Sequence, residues 1–143
     1  MNVPLDKEHL KLLSRIESAH FDLINNCTAK NDLIATASND GKVKIWDTKK
    51  LEKSQSCIYE DLSQRPTCVR FFEDHFVLIG NQSGEIQLID MRKPKECLRK
   101  NSTLKNLVTR INFSPQEKNL AGVCTESNQI GIFSLDNNDI ELK

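Results

Sequence analysis

A histidine, a hydroxyl and a carboxylate are the groups with which a nucleophilic hydrolase activates an oxygen. His20, Ser38 and Asp40 bring those types together in one short stretch. Nothing else that such an enzyme needs accompanies them. The 143 residues contain no Gly-x-Ser-x-Gly elbow, no glycine-rich phosphate loop and no His-Glu-x-x-His pair. His9 and His75 are isolated and read as surface or loop histidines. No catalytic residue is therefore assigned, and no cofactor is expected.

Two other residue sets could bind something. The five cysteines, Cys27, Cys57, Cys68, Cys97 and Cys124, are odd in number and never spaced as Cys-x-x-Cys. Tetrahedral zinc wants clustered ligand pairs, so they read as reduced, small apolar side chains without metal. The stretch 92–105 holds Arg92, Lys93, Lys95, Arg99, Lys100 and Lys105 against one acid, Glu96. Clustered cations bind phosphate. However, no aromatic falls between Phe76 and Phe113 to stack a base, and 20 basic residues are balanced by 20 acidic ones. A solvated edge strand and loop is the favoured reading, with nucleic-acid contact as the alternative.

Composition bounds the rest. The length suits one domain, on a prior of roughly 100–200 residues per domain. With 38% apolar and 28% charged residues, the chain should fold rather than stay disordered. No stretch approaches the roughly 18 apolar residues of a membrane span. The opening residues carry charges of both signs and no apolar signal core, so a cytoplasmic or nuclear setting is expected.

An internal repeat organises the chain. Leu33–Asp47, Phe76–Asp90 and Leu120–Ser134 align without gaps at offsets of 43 and 44 residues. Each begins with an apolar run, the mark of a buried strand. A turn follows, with Gly41, Gly84 or Asn128 at the same place, where a tight hairpin needs positive φ. Strict alternation then predicts a strand with one buried face: Lys42 to Ile45, Glu85 to Leu88, Gln129 to Ile132. Trp46, Ile89 and Phe133 close the three segments. Further strands precede the hairpins around 23–27, 67–72 and 109–115. The polar segments 53–60 and 95–102 suit outer strands.

The residues Ser18-Ala19-His20, Ser38-x-Asp40-Gly41 and Ile45-Trp46-Asp47 resemble a WD40 repeat, with its period of about 40–45 residues and four strands per propeller blade. Ala19 stands where the family has glycine. The resemblance covers roughly 12–142 and is specific in the first unit. It implies an all-β fold of about three four-stranded antiparallel blades. These are units 18–60, 61–103 and 104–142 of a repeat region 11–142, after an N-terminal extension, 1–10. It also implies a structural tetrad of His20, Asp40, Trp46 and a hydroxyl, Ser38 or Thr36, with Ser38 preferred. A buried indole N–H needs an acceptor, and a hydroxyl that accepts it can donate onward to imidazole. The tetrad is then a brace within the blade, not a catalytic set. Units two and three lack the histidine, so no complete tetrad is expected there.

Propellers use 4–8 blades. Three cannot close a ring, and an open arc exposes two apolar faces. The sequence therefore reads as part of a larger propeller, as one completed by self-association or a partner chain, or as a small open β-domain. Asp139–Lys143 resembles the start of an outer strand. Leu10, Leu12 and Ile16 suit an outer strand over 11–16, whereas Leu5, Leu12, Leu13 and Ile16 suit a helical stripe. The fold implies a non-catalytic scaffold for protein partners, with rigidly held loops as the binding surface. Candidate loop residues are Phe21, Asp22, Asn39, Arg65, Gln82, Lys105 and Glu126. Several segments, Ala19-His20, Ile45-Trp46-Asp47-Thr48, Pro66-Thr67 and Gly84 to Ile89, resemble the WD-repeat subunit of the methylosome. That likeness implies an adaptor for a protein arginine methyltransferase.

Overall fold

The computed structural model describes residues 10–51, 55–136 and 139–143. The described chain is all-β and forms three antiparallel four-stranded sheets, each built from consecutive strands. The first holds β1 (Ile24–Lys30), β2 (Leu33–Ser38), β3 (Lys42–Asp47) and β4 (Ser56–Glu60). The second holds β5 (Pro66–Phe72), β6 (Phe76–Asn81), β7 (Ile86–Asp90) and β8 (Cys97–Asn101). The third holds β9 (Val108–Phe113), β10 (Leu120–Thr125), β11 (Ile130–Asp136) and β12 (Asp139–Leu142). These are the blades that the repeat requires.

The hairpin turns show why the pattern folds this way. Gly41 and Gly84 have φ of 85° and 91°, and Asn128 takes the same region at 63°. At the two glycines a side chain would also collide with backbone. A Cβ on Gly41 would lie 2.8 Å from Leu62 Cα, and one on Gly84 2.6 Å from the Leu104 carbonyl oxygen. Each of these two turns is thus pressed against the linker that leaves its blade for the next, and the turn is also joined to the linker that enters its blade. The same backbone bond ties them in all three blades: Asn39 N–H to Leu23, Gln82 to Arg65, Glu126 to Leu107.

Blades meet face to face, with β1 packed on β5 and β5 on β9. Ala35, Ala37, Val43, Ile45 and Ile58 of the first blade bury Val69, Val77, Ile79 and Ile89 of the second. Leu78, Ile86 and Leu88 of the second bury Val108, Ile111, Ala121, Val123 and Phe133 of the third. The third blade departs from expectation. The alternation of 129–132 predicts buried isoleucines, yet Ile130 is 76% and Ile132 46% exposed, while Gly131 is buried. They hold the places of Val43 and Ile45, and of Ile86 and Leu88. Those residues are buried only because another blade lies against them.

The expected strand over 11–16 is corrected: residues 10–16 adopt no regular element. Leu10, Leu12 and Leu13 are exposed, because no sheet edge lies alongside to pair with them. The helical alternative begins at residue 5, and its part before residue 10 lies outside the described residues, as do the first nine residues of the proposed extension 1–10. The predicted strand 53–60 is described from Ser56 onward.

Candidate functional site

The chemistry-bearing residues converge on the face of the first blade that points away from the second. Trp46 Nε1–H donates to Thr36 Oγ1 at 2.9 Å. Thr36 Oγ1 lies 2.7 Å from His20 Nε2, and His20 Nδ1 lies 2.9 Å from Asp40 Oδ2. An indole only donates and a carboxylate only accepts, which fixes the directions. Thr36 therefore donates to Nε2, and Nδ1–H donates to Asp40. The hydroxyl of this relay is Thr36, which corrects the preference for Ser38. Ser38 Oγ instead donates to the Asp22 carbonyl at 3.2 Å and accepts Asp40 N–H at 3.1 Å.

Asp40 also accepts Phe21 N–H at 3.1 Å and Lys42 N–H at 3.0 Å. Burial pushes its carboxyl up. The hydrogen bond from His20 and the backbone bonds from Phe21 and Lys42 outweigh this, and the net shift is downward. The His20 side chain is fully buried. Every polar atom of the relay is consumed by a neighbour, leaving no activated oxygen for a substrate. The set is a brace that ties the entering segment, through Ala19–Phe21, to β2 and β3. Ser14, Arg15, Ile16 and Ala19 line a shallow cleft beside Trp46 with Ile34 and Leu51.

The other blades fill the same slot differently. Ile79 and Ile89, and then Val123 and Phe133, replace Thr36 and Trp46. All four are buried, so apolar packing maintains order where the tetrad is missing. The place of Ser38 stays polar in each blade. Asn81 Oδ1 accepts Ser83 N–H and Glu85 N–H, each at 3.1 Å, and the Ser83 hydroxyl at 2.8 Å. Thr125 Oγ1 lies 3.1 Å from Ser127 Oγ. Sequence reasoning missed Asn81. Its signal was the buried polar residue recurring just before each turn.

The loop candidates fall at one rim, where the second and third strands of each blade join. Phe21 and Asp22 sit beside Asn39, Arg65 beside Gln82, and Glu126 beside the linker that carries Lys105. Phe21 is 91% exposed, with Lys42 Nζ 5.9 Å from its ring centroid. Gln82 Nε2 donates to the Ser63 carbonyl at 2.8 Å, and Lys105 Nζ to the Ser102 carbonyl at 2.8 Å. The structure holds these side chains on short, braced turns.

The basic stretch 92–105 is not a free cationic surface. Arg92 pairs with Asp90 and Lys95 with Glu60, each at 2.8 Å, and Lys100 lies 3.7 Å from Glu85. Arg99 Nη1 donates to the Asp136 carbonyl at 2.7 Å, which joins the second blade to the third. A cleft of about 570 Å³ lies beside the β5–β6 turn and is lined by Phe72, Phe76, Phe113, Lys30, His75 and Lys118, among others. Its hydroxyl, that of Ser114, is spent on the N–H groups of Gln116 and Glu117. Among the described residues, no group of three or more His, Cys, Asp or Glu side chains could hold a metal ion.

Comparison with known proteins agrees with this geometry. The chain is 27% identical over 123 residues to a zebrafish (Danio rerio) protein named p21-activated protein kinase-interacting protein 1-like. The match covers 86% of this chain and 33% of that protein, so the chain spans about a third of the relative's length. Among solved structures, the computationally designed Ika4 protein superposes with a TM-score of 0.69 at 17% identity, over 86% of this chain and 72% of that one. The C-terminal WD40 domain of Sif2 superposes with a TM-score of 0.67 at 20% identity, over 87% of this chain and 36% of that one. At those identities the two structures establish the fold, a WD40 β-propeller arc. The sequence profile of the Nucleolar protein 10-like, N-terminal domain, a β-propeller family, matches residues 7–142, and the chain belongs to that family.

Proposed function

We propose that the chain is a non-catalytic interaction module that presents its loop rim to protein partners. The observation that carries this is the repeated tie between turn and linker, which fixes Phe21, Arg65, Gln82 and Glu126 on three successive rigid blades. An exposed aromatic and an arginine on a stiff scaffold are the residue types that dominate protein interfaces. The name of the zebrafish relative, a kinase-interacting protein, supports a protein as the partner class. WD40 propeller families are typically non-catalytic, and the relay around His20 has no free group to react. The acid partners of the basic stretch weigh against phosphate binding as the main role. The narrower role of a methyltransferase adaptor rests on the sequence resemblance alone. A cytoplasmic or nuclear location follows the same reading, and imaging of the tagged chain checks it.

The test compares the chain with a Phe21→Ala, Arg65→Ala, Gln82→Ala variant. Proteins captured from cell extract are identified by mass spectrometry, and the leading one is purified and its Kd measured directly. The variant keeps its thermal melt and binds at least about 10-fold more weakly, as loss of an interface anchor does. An unchanged Kd removes the rim from the function. An arginine methyltransferase among the direct binders would establish the adaptor role.

A further inference from the structure

The two joints between blades are alike at the loop rim and differ at the opposite rim. Near the start of β1 and β5 one residue bulges out of register, Asn25 and Thr67 respectively. Asn25 Nδ2 donates to the Pro66 carbonyl at 3.1 Å, and Thr67 Oγ1 donates to the Val108 carbonyl at 2.5 Å. Each reaches the residue that opens the next blade's first strand. At the far end of the same strands, Lys30 and Phe72 hold equivalent places as the last residues of β1 and β5. Lys30 crosses the first joint. Its ammonium donates to the Glu73 carbonyl and lies 3.9 Å from Asp74 Oδ1. A phenyl ring cannot make that link. Phe72 instead stacks on Phe113 of the third blade, with ring centroids 5.2 Å apart, and tilts against Phe76 at 6.5 Å.

The exchange of lysine for phenylalanine leaves a groove along the second joint. The three rings line the cleft of about 570 Å³, which falls within the roughly 300–1,000 Å³ of ligand sites. Phe76 and Phe113 are only half-buried. A narrower cleft of about 120 Å³ shares Phe72, Glu73 and Phe76 with the first and runs outward to Leu98 and Leu135. Both lie at an interior joint, away from the open end faces of the arc. Their walls differ in charge. On the second-blade wall, the Lys30 ammonium stands among the acids Glu73 and Asp74. On the third-blade wall, Lys118 makes no ion pair among the described residues. The Ser114 oxygen on the same turn is taken by the N–H groups of Gln116 and Glu117, which leaves only its hydroxyl proton to offer a ligand. An ammonium and a hydroxyl proton suit a carboxylate, and Glu73 on the facing wall repels it towards them.

We propose that this groove takes an extended segment of a partner protein in which a large apolar side chain stands beside an aspartate or glutamate. The apolar side chain lies on Phe72, Phe76 and Phe113, and the carboxylate pairs with Lys118. A second apolar side chain two residues away enters the narrower cleft, since residues i and i+2 of an extended chain share a face. The groove is at the opposite rim from Phe21, Arg65 and Gln82, and it does not rest on the function proposed for them.

A random peptide library displayed on phage, selected on the 143-residue chain and counter-selected on its Lys118→Glu variant, tests this. Lys118 is exposed, so the variant keeps its melt. The retained peptides are expected to carry a large apolar residue within two positions of an acid. The leading peptide, synthesised free, binds at least about 10-fold more weakly to the Lys118→Glu chain and to a Phe113→Ala chain. Replacing its acid with lysine restores binding to the Lys118→Glu chain. The Phe21→Ala, Arg65→Ala, Gln82→Ala chain binds it unchanged, which separates the groove from the loop rim. A library with no peptide that tells wild type from Lys118→Glu overturns the proposal. So do retained peptides without an acid, a Kd indifferent to Phe113→Ala, or binding lost in the loop-rim variant. If Phe113→Ala unfolds, the charge swap at Lys118 decides the matter alone.

Discussion

Thr36 Oγ1 lies 2.9 Å from Trp46 Nε1 and 2.7 Å from His20 Nε2, so one strand hydroxyl holds both rings of the first blade. Thr36→Val keeps the shape and leaves two buried polar groups without a partner. That costs about 1–3 kcal/mol for each unsatisfied group. Trp46 is the only tryptophan, so its fluorescence reports the site directly. Thr36→Val is expected to shift the emission and lower the melting temperature. Ser38→Ala should lower the melt with little change in emission. Equal spectral effects from both would return Ser38 to the relay.

Gly80 is the contact point of the second and third blades. A Cβ there would stand 2.6 Å from Val108 Cγ1, inside van der Waals contact. Its backbone φ is ordinary, so the obstacle is space alone. Gly80→Val overpacks the joint and should cost about 1–3 kcal/mol. The double variant with Val108→Ala should recover part of the loss, as neighbours that share a clash are not additive. Denaturant melts of the four combinations measure the coupling, and strict additivity would contradict the contact.

Asn81 anchors the second turn as Ser38 anchors the first, with its Oδ1 accepting from Ser83 and Glu85. Its Nδ2 is buried without a partner. Asn81→Ala therefore removes one unmet donor but orphans two backbone N–H groups of the turn. The net expectation is a destabilisation of about 1–2 kcal/mol. Hydrogen exchange should quicken first at Ser83 and Glu85. Unchanged exchange there would remove Asn81 from the turn.

The period, the hairpins and the turn conformations were legible because each has a local cause. Gly41, Gly84 and Asn128 sit where positive φ is required, and alternation marks the strands. His20, Asp40 and Trp46 were legible through the repeat's resemblance to a known pattern. The choice between Thr36 and Ser38 was not, since both lie on one face of β2. Register decides it. Trp46 pairs with Ile34, so Thr36 is the near diagonal neighbour. Ser38 is two residues further, about 7 Å along the strand. The exposure of Ile130 and Ile132 is invisible in their alternation, because it depends on which blade stands beside them. Residues 10–16 have a strand's pattern but no edge to pair with, and pairing is not a property of one segment. The joints formed by Asn25 and Thr67 depend on bulges, which leave no compositional mark.

Two groups give the stability a pH dependence of opposite sign. For Asp40, burial works upward, but the His20 and backbone bonds lower its carboxyl overall. A lowered folded value means stability that is present above the ordinary carboxylate range and lost as pH falls through the folded value. Asp40→Asn should flatten that acid limb. Tyr59, the only tyrosine, shows the opposite sign. Its hydroxyl donates to the Gln64 carbonyl at 2.6 Å, and burial pushes its pKa from 10.0 up to about 12. The fold thus favours the neutral phenol. Its contribution is complete below about pH 10, the ordinary value. It is lost as pH rises towards about 12, the folded value. Phenolate absorbance and a circular-dichroism melt, followed together on the alkaline side, separate the outcomes. Ionisation near 12, with stability falling on the way and Tyr59→Phe abolishing the fall, is expected. Ionisation near 10 with no loss of stability would mean that Tyr59 is not buried between the first two blades.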